Sequence, residues 1–162
     1  MRVVTTLLNS INTKKLICFG MAVNQYPTVC NLCGGEVEYI PNSEIYNGVS
    51  YGSGYCYRCK ACGAYVGTYT NKPRKALGIL ANGEMREWKM KCHNLFDSFW
   101  KDAPLHSKKR SLLYTELATE LSISVEECHF GFFDMDMLKK AYTIIQKWKT
   151  EQDSTNNGNN NT

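Results

Sequence analysis

Cys30-Asn31-Leu32-Cys33-Gly34-Gly35 and Cys59-Lys60-Ala61-Cys62-Gly63 are the two stretches on which the reading of this chain turns. Each sets two thiols three residues apart on a tight turn, so both sulfurs face one side, and the glycine that follows tolerates positive φ while backbone N–H groups point at sulfur. Two such knuckles, 25 residues apart, satisfy a tetrahedral site for one zinc ion. Cys30, Cys33, Cys59 and Cys62 are its candidate ligands. Four thiolates leave no open coordination position, so the ion holds structure and activates no water. A second register exists, because Cys56-Tyr57-Arg58-Cys59 is also a Cys-x-x-Cys. Gly63 favours Cys59 with Cys62, and Cys56 stands as the alternative to Cys59.

The chain holds eight cysteines in 162 residues, which raises disulfides as the competing use. The apolar run Leu16 to Val23 comes late and is followed by no small-residue cleavage site, a poor fit to a secretory leader. No stretch approaches the roughly 20 apolar residues of a membrane span. The reading is cytoplasmic, where paired Cys-x-x-Cys motifs favour metal.

Working outward from the knuckles, residues 24–79 are rich in Gly, Tyr and Val, with alternations such as Glu36-Val37-Glu38-Tyr39-Ile40, and predict a zinc ribbon of short β-hairpins. Residues 80–149 change to helical periodicity. Asn82 caps a first helix whose stripe is Met85, Trp88, Cys92, Leu95, Phe96 and Phe99. A second, from about Ser107 to Leu121, turns Leu112, Leu113, Leu117, Ala118 and Leu121 inward. A third follows Asp134 and buries Leu138, Ala141, Tyr142, Ile145 and Trp148. The fold class is thus α+β, a four-cysteine ribbon followed by a three-helix lobe packed on it. Residues 1–23 read as a flexible extension, with Met21 an alternative start. Residues 150–162, mostly Asn, Thr, Ser and Gly towards the end, read as a disordered tail.

The formal charge of +4 is spread thinly. Residues 30–79 carry five basic and three acidic side chains. With four thiolates and a divalent ion the ribbon becomes neutral. That excludes a protein that grips nucleic acid mainly through phosphates. Seven tyrosines between Tyr39 and Tyr69 suit either cross-strand packing or stacking on unpaired bases. The candidate nucleic-acid or partner surface comprises Tyr51, Tyr55, Tyr57, Arg58, Lys60, Tyr65, Tyr69, Lys72, Arg74 and Lys75. His93 and His129 each follow a cysteine, Cys92 and Cys128, and read as neighbours of core thiols, hydrogen-bonded in place, rather than as a metal site or an acid/base pair. No phosphate loop, nucleophile elbow or His-x-x-x-His spacing occurs, so no enzymatic activity and no small-molecule substrate are expected.

A longer set of residues carries a resemblance. Cys30-x-x-Cys33-Gly34-Gly35-Glu36-Val37, Ile45-Tyr46, Tyr51-Gly52, Cys62 to Gly67, Leu77-Gly78, Ala81, Glu84-Met85-Arg86, His93, Leu95-Phe96-Asp97, Trp100-Lys101 and Glu127-Cys128-His129-Phe130-Gly131-x-Phe133-Asp134 resemble a phage and prophage family of zinc-finger-containing proteins of unknown function. The likeness spans roughly residues 26 to 145. It implies a Cys-x5-Cys last pair, Cys56 with Cys62, in place of Cys59 with Cys62. The ribbon half is also similar to the four-cysteine fingers at the C-terminal end of type IA topoisomerases, which implies single-stranded nucleic acid. Two functions follow as expectations: a nucleic-acid-binding accessory factor, or a protein-interaction adaptor for a host or phage protein in which zinc is purely structural.

Overall fold

The computed structural model describes residues 23–158. The extension expected over residues 1–23 lies outside the described residues except for Val23, as does the alternative start at Met21. From Val37 the chain forms four strands, β1 (Val37–Pro41), β2 (Tyr55–Cys59), β3 (Tyr65–Tyr69) and β4 (Lys72–Ala76), in one antiparallel sheet ordered β1-β2-β3-β4. Tyr39 lies opposite Tyr57, and Tyr57 opposite Val66, so period-two alternation divides the ribbon tyrosines between two faces. The last hairpin closes where Tyr69 faces Lys72.

The long β1–β2 connection folds around Asn42, which is buried. Its Nδ2 donates to the Tyr51 carbonyl at 2.6 Å, and its Oδ1 accepts from the Tyr51 N–H at 3.2 Å and from the Ser50 hydroxyl at 3.4 Å. One amide thereby satisfies both backbone groups of Tyr51, so the loop keeps a single shape without an apolar core of its own.

The helical half holds α1 (Gly83–Asp97), α2 (His106–Leu121) and α3 (Met135–Gly158). The Asn82 side chain accepts from the Met85 N–H at 2.9 Å, and Asp134 does the same for Met137 at 2.9 Å. Each answers a backbone donor that a helix start leaves free. Cys92, Phe96, Leu117, Cys128, Phe130, Leu138, Ala141 and Ile145 form the main core, and Trp148 donates its indole N–H to Glu120 at 2.8 Å.

Two expectations fail here. Leu112 points to solvent and is 61% exposed, while Tyr114 is buried. Tyr114, Leu117, Ala118 and Leu121 keep the i, i+3, i+4, i+7 spacing of one stripe, and two residues of helix rotate a side chain by about 200°, which sends Leu112 to the far side. The tail expected to be disordered from Thr150 is helical as far as Gly158, where the description ends. Ion pairs Lys147–Glu151 and Lys149–Asp153 lie four apart along it, and the Thr150 and Ser154 hydroxyls bond to carbonyls one turn back. A polar composition argues against burial, but extending a helix already nucleated by its packed half needs none.

The ribbon and the helices join along residues 77–81. Ile79 N–H donates to the Gly131 carbonyl at 3.0 Å, and the Lys89 ammonium donates to the same oxygen at 3.0 Å. Ala81 exchanges backbone bonds with Tyr65, which ties the start of α1 to β3. Among the described residues, no helix is long and apolar enough to cross a membrane.

Candidate metal centre and ribbon surface

The two knuckles are copies of one another in their backbone bonding. Cys30 N–H donates to the Gly35 carbonyl and Gly34 N–H returns to Cys30; five and four residues on from Cys59, Ala64 and Gly63 make the same pair of bonds. Gly34 and Gly63 sit at φ of +74° and +72°, where a β-carbon costs energy. Gly35 is required for another reason. A β-carbon there would lie 2.8 Å from the Ala61 side chain and 3.1 Å from the Cys59 sulfur.

This pairing brings the sulfurs of Cys30, Cys33, Cys59 and Cys62 within 4.8 Å of one another. Cys30 lies 3.7 Å from Cys62, and Cys33 lies 3.5 Å from Cys59. A tetrahedron with metal–sulfur bonds of about 2.3 Å has edges of about 3.8 Å, so the four sulfurs fit one zinc ion. The first cysteine of each knuckle is buried beside Ala64 and Leu80, with Val37 and Val66 packed against them; the second faces solvent. That apolar set is too small to hold the ribbon together unaided, so zinc, when bound, supplies folding free energy.

The thiols show the electrostatic need for a cation. Backbone N–H groups of Cys62 and Ala61, the former the stronger influence, hold the Cys59 thiol down to about 6. The Gly35 N–H favours the Cys33 thiolate, yet the adjoining sulfurs of Cys59 and Cys62 push that thiol up to about 12. Four sulfurs this close cannot all be anionic without a positive ion between them.

Cys56 is not among the four. It precedes Cys59 by three positions on β2, so its side chain leaves the opposite face, opposite Gly67 and Ile40, and burial pushes its thiol up to about 11. The ligand pair implied by the phage-family likeness, Cys56 with Cys62, is therefore replaced by Cys59 with Cys62.

The proposed binding surface does not form one patch. Arg58 is engaged by Glu38 at 2.6 Å and Glu44 at 3.2 Å, and Lys60 by Glu36 at 2.6 Å, which offsets their charge. Tyr57 is buried, its hydroxyl donating to the Arg74 carbonyl at 2.7 Å. Tyr51 and Tyr65 gather on either side of Tyr46, with the Arg86 guanidinium 4.2 Å above the Tyr65 ring. Tyr69 takes Lys75 over its ring at 5.7 Å. On the opposite face of the sheet, Tyr55 stacks on Tyr39 at 5.1 Å and 11°, and Arg74 lies 5.1 Å over the same Tyr39 ring. Tyr39 and Arg86 were missing from the candidate surface. The β1–β2 register, which sets Tyr39 opposite Tyr57, brings in the first, and α1 supplies the second; neither follows from local sequence.

Cys92 and Cys128 are fully buried, and burial raises their thiols to about 11 and about 12. They are inert core residues. His93 and His129 differ from expectation: both are exposed, their rings lie against Phe130 and Phe132, and neither side chain has a hydrogen bond among the described residues.

No curated protein and no solved structure matches the chain. Residues 26–148 match the zinc-finger-containing domain family, a span that takes in both knuckles, the four strands and all three helices as far as Trp148. The four-sulfur cluster and that match together make the chain a zinc-binding protein of the zinc-finger-containing domain family.

Proposed function

We propose that the chain is an accessory factor that binds single-stranded nucleic acid through the Tyr39 face of its ribbon. One observation carries the reading: Arg74, Tyr39 and Tyr55 make a continuous stack of cation, ring and ring, with Tyr55 at its exposed end. Bases have a π-face whatever their identity, and a ring that stacks on one contributes about 1–3 kcal/mol, so such a stack receives unpaired bases without sequence preference.

The charge supports weak phosphate binding rather than a tight grip. Lys72, Arg74 and Lys75 on β4 have no acidic partner among the described residues, unlike Arg58 and Lys60. Three phosphate contacts on a single strand give a slope of log K against log salt of roughly −2. The reading fits a reducing cytoplasm, that of a bacterial host if the phage likeness extends to origin.

Fluorescence anisotropy with labelled single-stranded oligonucleotides tests it. Binding with that small slope, weakened about tenfold by Tyr55→Ala and more by Tyr39→Ala with zinc content unchanged, supports the proposal. A zinc-loaded chain that ignores every oligonucleotide at low salt sinks it and leaves the adaptor role.

A further inference from the structure

A second concave surface lies on the helical lobe. A cleft of about 590 Å³ opens between the end of α1 and the start of α2, walled by His93, Asp97, Trp100, His106 and Arg110. Its one fixed cation is Arg110. Asp97 is its one carboxylate, and that group is already taken: Lys101 pairs with it at 3.3 Å and the Trp100 indole N–H donates to it at 3.1 Å. Arg110 makes no ion pair among the described residues. It lies 4.9 Å from the Tyr114 ring centre and 5.5 Å from that of Trp100. Those rings fix the guanidinium in place but leave its charge uncompensated. The two residues before it, Lys108 and Lys109, add to the positive field, and α2 has no acid in its first turn.

We propose that this cleft binds a phosphate monoester, with Arg110 as its fixed cation and the His93 and His106 rings as hydrogen-bond donors. Guanidinium presents a planar fork that matches two oxygens of a phosphate, and imidazoles on either side reach a third. A cation is a poor alternative ligand, because among the described residues no three metal-binding side chains converge apart from the four cysteines. The volume far exceeds a bare phosphate ion, which leaves room for an organic group on the ester oxygen. His93 also faces Asp97 and Lys89 from α1, Arg110 from α2 and His129 from the loop before α3. A bound dianion adds a strong favourable charge to that set, so the ring protonates at higher pH when the site is filled.

The test is an NMR titration of the zinc-loaded chain with inorganic phosphate, at ionic strength held constant with chloride. The site predicts saturable shifts of the His93 and His106 ring resonances and an upward move of the His93 titration midpoint. Arg110→Ala and Arg110→Gln, the second keeping side-chain bulk against Trp100 and Tyr114, raise Kd roughly ten- to hundredfold. Lys147→Ala, on the far part of α3, leaves it unchanged. Tighter binding of a 5′-phosphorylated oligonucleotide than of its 5′-hydroxyl counterpart assigns the group to a strand end, and equal binding of the two, with phosphate still bound, assigns it to a free ester; either supports the site. Shifts that do not saturate, or that persist undiminished in both Arg110 variants, overturn it.

Discussion

Gly78 and Gly131 meet backbone to backbone, one in the bend that leaves β4 and the other in the turn ahead of α3. A β-carbon on Gly78 would fall on the Gly131 carbonyl, and one on Gly131 would lie 2.7 Å from the Leu77 oxygen. Main-chain atoms cannot rotate away as a side chain does. The close approach lets Ile79 donate to Gly131 and so fastens the two halves together. Neither glycine is held by φ, since neither has a positive value; what requires them is space.

Gly78→Ala and Gly131→Ala are therefore expected to destabilise the chain by about 2–3 kcal/mol each, the cost of overpacking a well-filled contact. Because they share one contact, the double variant costs less than both singles together. Urea unfolding of the four proteins of this cycle measures it, and full additivity would show that the two glycines act separately.

Removal of zinc by a chelator is expected to unfold the ribbon and leave the helical lobe folded, since the two draw on separate apolar clusters. Ribbon amide shifts unchanged after verified metal loss would contradict this. The register of ligands has its own test. Cys59→Ala loses stoichiometric zinc, whereas Cys56→Ala keeps it and gives up about 1 kcal/mol of packing.

Asn42→Ala strands the Tyr51 N–H, while the Tyr51 carbonyl keeps its bond from the Gly54 N–H at 2.9 Å; the expected cost is about 1–3 kcal/mol. Hydrogen exchange reads it directly: protection falls at the amides of Tyr51 and Gly54 and stays unchanged at Cys30 and Cys59. Uniform loss of protection across the ribbon would instead mean that the loop and the metal site unfold as one.

Lys89 predicts a pH dependence of definite sign. Burial lowers its folded pKa from 10.5 to about 8, so the unfolded chain holds this proton more tightly than the folded one. Stability attributable to Lys89 then rises as pH goes from about 8 towards 10.5, and the penalty of burying the charge is fully present below that window. Lys89→Met removes the slope. Other groups titrate there too, so the quantity to measure is the difference between wild type and variant in denaturant midpoint across the range; a difference that stays flat, or falls, contradicts the assignment.

Much of the architecture was legible in the chain itself, because its signals are local. A knuckle needs only Cys-x-x-Cys and a glycine, and Asn82 and Asp134 cap helices through donors three residues away. A stripe such as Leu138, Ala141, Ile145 and Trp148 follows from helical geometry alone. The same locality explains the misses. Apolar character places Leu112 inward, but its angle around α2 turns it to solvent; a polar composition ends α3 near Thr150, but propagation from the packed half carries it on.

What the sequence by itself determined is the four-thiolate zinc centre, the change from strand to helix near residue 80 and most of the inward-facing residues. Tertiary structure settled the choice of Cys59, which Gly63 favours, over Cys56, and it alone decided that the tyrosines divide between two sides of the sheet and that Gly78 abuts Gly131. It also set Arg110 beside Trp100 and the imidazoles, away from any free carboxylate. The physical reason is distance along the chain: turns, caps and periodic stripes act over a few residues, whereas face, charge pairing and close backbone approach depend on partners tens of residues away, whose positions exist only after the chain has folded.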